Sequence, residues 1–315
     1  MTTTPNPLTP AKPDPTVSNI IIPTAIPSDY LSLGVESGYN PPPASMLRMF
    51  ILGPAGSGKT TFVAGQAKTL ILDTERGASG ILASRAHRLK ISTYAQLERI
   101  RQKLMTDSKL PARPYDRIVI DGIGGLTEIV NTQLVEEVNS REGKGREIDD
   151  IATYGQKGAG WSMLRKRAWS FIQDLETSGY TWTIIDHTTE KTISTRDSEI
   201  TVIRPVIFDT FSKTISRSAD ITCNIYSKLQ AEPTYTVYQG RKIQSGTTTR
   251  TAYILDCSTD FKSAETSPGK MRNVPSMVTK IELPDASDYT IVGWDCFEKE
   301  YNNVVAETKK KLGIA

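Results

Sequence analysis

The sequence predicts an α/β fold, a mainly parallel sheet flanked by helices, and three observations carry that expectation. The segment GPAGSGKTT, Gly53 to Thr61, directly follows the apolar run MLRMFIL. Strand-like and helix-like periods alternate downstream of it, the pattern of parallel strands joined by right-handed helical crossovers. The segment RIVID, Arg117 to Asp121, is a near-continuous apolar run, as expected of a strand covered on both faces.

Met46 to Leu52 reads as the first strand. The loop after it has the form Gly-x-x-x-x-Gly-Lys-Thr, the phosphate-binding P-loop. Gly53, Gly56 and Gly58 let the backbone fold into a cradle of N–H groups, Pro54, Ala55, Ser57 and Thr61 complete it, and the next helix adds its positive N-terminus. In this pattern Lys59 reaches the β- and γ-phosphates of ATP, and the Thr60 hydroxyl binds the Mg²⁺ that bridges them.

A helix from Lys59 leads to TLILD, a second strand ending in Asp73 and followed by Thr74 and Glu75. LKIS, from Leu89, is a third strand candidate. Thr93 is the N-cap of a helix, with Gln96 as its capping-box partner and Leu97, Ile100 and Leu104 on one face. RIVID follows as a strand, then an amphipathic helix bearing Leu126, Ile129, Val130, Leu134 and Val138. From Asn139 to Gly160 the pattern gives way to glycines and mixed charges. Two readings stand there, a solvated surface loop or a mobile segment above the nucleotide edge. Helix resumes with Leu164, Phe171, Ile172 and Leu175 facing inward, and YTWTIID makes a strand ending at Asp186 and His187. KTIS, EITVI, DITCNIY, TYTVYQGRK and TRTAYILD then predict further strands that extend the core as C-terminal β-hairpins. A helix from Asp295 runs into the lysine-rich end.

Composition sets the limits. Ten of the 18 prolines precede Ala44, in a Thr- and Ser-rich stretch with almost no charge, so residues 1–44 read as an extended arm that cannot offset its ordering entropy by burial. Residues 45–282 form the predicted ATPase domain and 283–315 a C-terminal extension with a terminal helix. No signal-peptide pattern opens the chain and no apolar run approaches membrane-spanning length, so the expected setting is soluble and cytoplasmic, without membrane. Cys223, Cys257 and Cys296 are odd in number and widely spaced, which suits reduced thiols. With only His87 and His187 besides, no zinc-ligand spacing occurs. A net charge of +3 is too small to imply nucleic acid, so any DNA site must be local.

Asp121 ends an apolar strand, as an acid organising Mg²⁺ should. Gly122 follows it, so the paired acidic dipeptide of AAA+ ATPases is absent and another group must orient water. Glu75, just past the second strand on the γ-phosphate edge, is that candidate, with a bland surface glutamate as the alternative. No guanine-reading Asn-Lys-x-Asp motif occurs, which weighs against a GTPase.

The series GPAGSGKTT, LILDTERGA, RIVIDGI, a glycine-rich segment and TIIDH resembles the RecA-like P-loop ATPase core. More closely, it resembles the phage-encoded RecA-like ATPases associated with single-strand annealing and recombination, from about Leu47 to Pro275. The resemblance implies a catalytic acid at Glu75 and a γ-phosphate sensor at His187, a residue that could equally serve as a structural hydrogen-bonder. It implies DNA-facing loops at Glu142 to Gly160 and Thr188 to Pro205, whose cations are Arg146, Lys144, Lys157, Lys191 and Arg196, with Arg141 beside them and Tyr154 or Trp161 to stack on a base. In GKMRNVP, Lys270 and Arg272 resemble the Lys-x-Arg element that ring-forming relatives insert into a neighbour's active site, implying a homo-oligomer; a basic surface loop is the alternative. The length and the lack of RecA's flanking domains argue against filament-type strand exchange. The expected function is an Mg²⁺-dependent ATPase acting on single-stranded DNA, with a single-strand-binding protein as a further candidate partner. The alternative is a nucleotide-gated interaction protein such as a helicase loader. A small-molecule kinase is the weaker rival, since no acceptor site or lid motif is recognisable.

Overall fold

The computed structural model describes residues 40–75, 84–142, 145–156, 158–194, 199–257, 270–271, 280–284 and 293–311. The arm up to residue 39, Arg272, Lys144, Lys157 and Arg196 lie outside these residues. Strands are β1 (Met49–Gly53), β2 (Thr69–Asp73), β3 (His87–Lys90), β4 (Arg117–Asp121), β5 (Thr181–Ser194), β6 (Glu199–Pro205), β7 (Ile221–Tyr238), β8 (Arg241–Asp256), β9 (Lys270–Met271) and β10 (Lys280–Leu283). Helices are α1 (Lys59–Ala64), α2 (Tyr94–Asp107), α3 (Ile123–Glu142), α4 (Ala159–Thr177), α5 (Asp209–Ser218) and α6 (Gly293–Lys311).

The sheet runs β10-β8-β7-β1-β5-β4-β2-β3. The stretch from β7 to β3 is parallel, and β8 and β10 add antiparallel at the β7 edge. The fold is therefore the expected one, a P-loop core with antiparallel C-terminal strands. Alternate residues of each central strand feed two cores. Phe50, Leu52, Leu70, Leu72, Ile118, Ile120 and Ile184 pack beneath α2 to α5, while Met49, Ile51, Ile71, Val119 and Ile185 face Phe62 and Val63 of α1 and Trp294, Phe297 and Tyr301 of α6. Burial on both faces is why these strands read as continuous apolar runs.

Several boundaries differ from the sequence reading: β3 is His87–Lys90 rather than LKIS from Leu89, DITCNIY and the start of TYTVYQGRK join in the single strand β7, α6 starts at Gly293 rather than Asp295, and three further differences bear on the site. Residues Ala44–Met46 form a 3₁₀ turn closed by Met46 N–H donating to Pro43 O, so β1 starts at Met49 rather than Met46. Helix α3 runs to Glu142, through the start of the expected loop, where the Asn139 side chain both donates to and accepts from the Ile148 backbone. And β5 does not end at His187. It leaves β1 there, in register with Gly53, and continues to Ser194 paired with β6. KTIS and EITVI read as separate strands; the polar run from Thr188 to Glu190 hides that the first of them continues β5 without a break.

The Ala-Asp-Ile segment at Ala219 to Ile221 has a structural reason. Asp220 accepts from Arg48 N–H at 2.9 Å and from its guanidinium at 2.8 and 3.0 Å, which pins the start of β7 to the start of β1. Arg117 does similar work at the buried end of β4. Fully enclosed, its guanidinium donates to Ser45 O at 3.0 Å, Leu47 O at 2.8 Å and Thr183 Oγ1, and lies 5.2 Å from the Trp294 ring. Burial pushes its pKa down to about 9.

Candidate active site

The P-loop bridges the end of β1 and the start of α1. Gly56 and Gly58 have φ of 73° and 89°, the left-handed region that favours glycine. At Gly53 a Cβ would fall 2.1 Å from Ile225 O, so only glycine lets β7 lie against the loop. Pro54, Ala55, Gly56 and Thr61 are exposed around the cradle, whereas Ser57 is 2% exposed and its hydroxyl has no partner. An orphaned buried hydroxyl inside a ring of backbone donors fits a phosphate oxygen.

Lys59 is 4% exposed and donates to Gly53 O at 2.8 Å and Pro54 O at 2.7 Å, with His187 Nδ1 at 3.4 Å. Burial lowers its pKa, opposed by the charges of Asp121, Glu75 and Asp186. Thr60 Oγ1 donates to Asp121 Oδ1 at 3.1 Å. That hydroxyl and carboxylate are hard oxygen donors of the kind Mg²⁺ takes alongside phosphate oxygens and waters. Asp121 is pushed up to about 6, mainly by burial.

Glu75 stands across from them. Its Oε2 lies 2.8 Å from His187 Nε2, so His187 touches both the P-loop lysine and the acid that faces it. Gly122, at φ 92°, makes room: a Cβ there would fall 2.3 Å from Glu75 Cγ and Cδ. Thr74 straps the acid in place, its Oγ1 donating to Asp121 O at 2.9 Å and Gly122 O at 2.5 Å. Lys59, Thr60, Glu75, Asp121 and His187 therefore converge on one edge, because β5 lies between β1 and β4 in the sheet. Of Lys270 only the backbone is placed. Its backbone pairs with Thr222 at the start of β7, toward the opposite end of the sheet.

Sequence reasoning passed over two acids. Asp73 ends β2 directly across from Asp121 and is 1% exposed. Asp186 is equally buried, accepts from His187 N at 2.8 Å and Ile207 N at 3.0 Å, and is pushed up to about 7 by burial. The signal was present: three apolar strands, TLILD, RIVID and TIID, each close on aspartate. Of the candidate DNA contacts, Arg141 and Arg146 are exposed, Tyr154 Oη lies 3.3 Å from Glu142 Oε1, and Trp161 packs at 5.0 Å on Phe208 while remaining 44% exposed.

A parallel sheet, a glycine cradle and this cluster at the strand ends define a P-loop ATPase. The chain belongs to the family described as AAA domain, which matches residues 45–273. No curated protein matches the chain. Among the described residues no helix is long and apolar enough to cross a membrane.

Proposed function

We propose that this chain is an Mg²⁺-dependent ATPase of RecA-like kind that acts on single-stranded DNA in recombination, annealing or replication, in a cytoplasmic setting. The observation that carries it is the chain of contacts Lys59–His187–Glu75 running beside the Thr60–Asp121 pair. The loop N–H groups and Lys59 bind the triphosphate, and Thr60 and Asp121 would hold the metal. When bound, Mg²⁺ would supply positive charge against the developing charge of the phosphates. Glu75 accepts a hydrogen bond from the attacking water and orients it toward the γ-phosphorus. His187 senses the γ-phosphate: any group that draws Lys59 from its present carbonyl partners also changes what His187 and Glu75 hold.

DNA as the partner is supported by the resemblance, by the exposed Arg141 and Arg146, and by the exposed Trp161 ring. Bound mainly through phosphates, single strands would show little sequence preference and a steep loss of affinity with salt.

ATP turnover with and without single-stranded DNA tests the whole reading. Lys59→Ala should abolish turnover, and Glu75→Gln should lower it at least about a hundred-fold while ATP still binds. Undiminished turnover in either variant removes that assignment. ATPase activity with no DNA binding at low salt in any nucleotide state would favour the helicase-loader reading instead.

A further inference from the structure

Two β-ribbons leave the sheet on either side of the P-loop strand. Both β5 and β7 run parallel to β1 and pair with it, and both continue past its C-terminal end as hairpins. The β7–β8 ribbon is the longer. Beyond the residues that pair with β1 and β10, Lys228 to Tyr238 pairs only with β8, a projection of about 35 Å at the usual rise per residue. It turns at Gln239 and Gly240, with φ of 48° and 75°, the tight two-residue turn that matches strand twist.

The ribbon's chemistry is unlike that of a solvated hairpin. From Pro233 to Leu255 there is no carboxylate, while Arg241 and Lys242 flank the turn. Of the ribbon's other cations, Arg250 is already committed to Glu232 and Glu282, and Lys228 lies at the root, away from the tip. Tyr235, Val237, Tyr238 and Ile243 are 57%, 71%, 63% and 49% exposed. Register places Tyr235 and Val237 with Lys242 on one face, and Tyr238 with Arg241 and Ile243 on the other. Each face thus offers one ring, one aliphatic group and one cation, with no groove between them.

We infer that the tip of the β7–β8 ribbon is a binding element for single-stranded nucleic acid, with Arg241 and Lys242 on phosphates and Tyr235 and Tyr238 stacking on bases. A single strand presents alternating anions and flat apolar faces, which is the complement of this surface. The inference rests on the single-strand reading given above, but assigns it a place apart from the Glu142–Gly160 and Thr188–Pro205 segments. The root of the ribbon also bears on the nucleotide loop. Ile225 O abuts Gly53, and the Tyr253 ring lies 3.8 Å from the Cβ position of Gly58.

The test is fluorescence anisotropy of a labelled oligothymidylate with the full chain at several salt concentrations, with ATP turnover measured on the same samples. Arg241→Ala with Lys242→Ala should make the log–log salt slope shallower by about 1.4, two phosphate contacts on a single strand. Tyr235→Ala with Tyr238→Ala should weaken binding roughly five-fold or more per ring and leave the slope alone, and the Phe pair should restore affinity. All four side chains are exposed, so unchanged thermal unfolding serves as the folding control. Wild-type binding with both variants indistinguishable from it overturns the ribbon and leaves the DNA reading intact. A change in sedimentation of the assembly at unaltered DNA affinity overturns it in favour of a protein contact. If the wild type binds no oligothymidylate, the DNA reading and the ribbon fall together, and the turnover data show separately whether the ATPase stands.

Discussion

Gly122 shows how one missing side chain can serve a site. Its φ of 92° turns the backbone after Asp121, and the space where a Cβ would stand is filled by the stem of Glu75. Gly122→Ala adds strain of about 1–2 kcal/mol for the left-handed backbone and displaces Glu75. Turnover should fall roughly a hundred-fold, as for other ångström-scale misplacements of a catalytic group, while ATP affinity measured by calorimetry persists. Retained turnover would mean that Glu75 is not the group that orients water. Asp186 makes a second prediction, this one in stability. Its folded pKa of about 7 lies above the ordinary carboxylate value, so between these values the folded state binds more protons than the unfolded. This contribution to stability is present at low pH and is lost as pH rises toward 7. Between pH 5 and 8 the wild type should therefore lose on the order of 2 kcal/mol more than Asp186→Asn, read from urea unfolding at the two values. Equal losses would show that the carboxyl ionises freely in the fold.

Among the elements, those with a local code were legible. The N-cap of α2 is one: Thr93 Oγ1 accepts from Gln96 N at 3.3 Å, and Gln96 Oε1 accepts from Ser92 N at 2.8 Å, as the capping pattern predicts to within a residue. The role of α6 was not legible. Its lysines mark a helix end in the sequence, but only the fold shows Trp294 and Phe297 against Phe62 of α1, with ring centroids 5.5 and 5.9 Å away. Tyr301 Oη donates to Pro42 O at 2.6 Å, and Arg85 forms a bidentate pair with Asp295. The helix that begins at the P-loop thus leans on the C-terminal helix. Phe297→Ala should cost about 3–5 kcal/mol in denaturant unfolding, since the ring is completely enclosed. A loss below about 1 kcal/mol would show that α6 is peripheral.

For the molecule as a whole, the question is where a second cation for the γ-phosphate edge, beside Lys59, would come from. The backbone of Lys270 pairs with Thr222, which is in register with Phe50, three residues and about 10 Å short of Gly53 along the sheet. A cleft of about 780 Å³ opens beside Glu75, and Glu128 and Glu136 line it, an acidic surface that a neighbour's cation could meet. Turnover per subunit should therefore rise with protein concentration, and Arg272→Ala should lose turnover while keeping nucleotide affinity. Concentration-independent activity from a monodisperse monomer would refute assembly.

The sequence by itself determined the P-loop, the parallel sheet and the strand-end places of Lys59, Thr60, Glu75 and Asp121, because backbone geometry and two-sided burial leave residue patterns that need no partner to read, while His187 is singled out only by the RecA-like resemblance. Only the tertiary structure decided what those residues touch. That His187 joins Lys59 to Glu75 follows from the insertion of β5 between β1 and β4, a strand order that no local pattern encodes. That Asp73 faces Asp121 is a matter of register, and although KTIS, EITVI, TYTVYQGRK and TRTAYILD read as strands, only the pairing shows that they continue β5 and β7 past the loop as two ribbons.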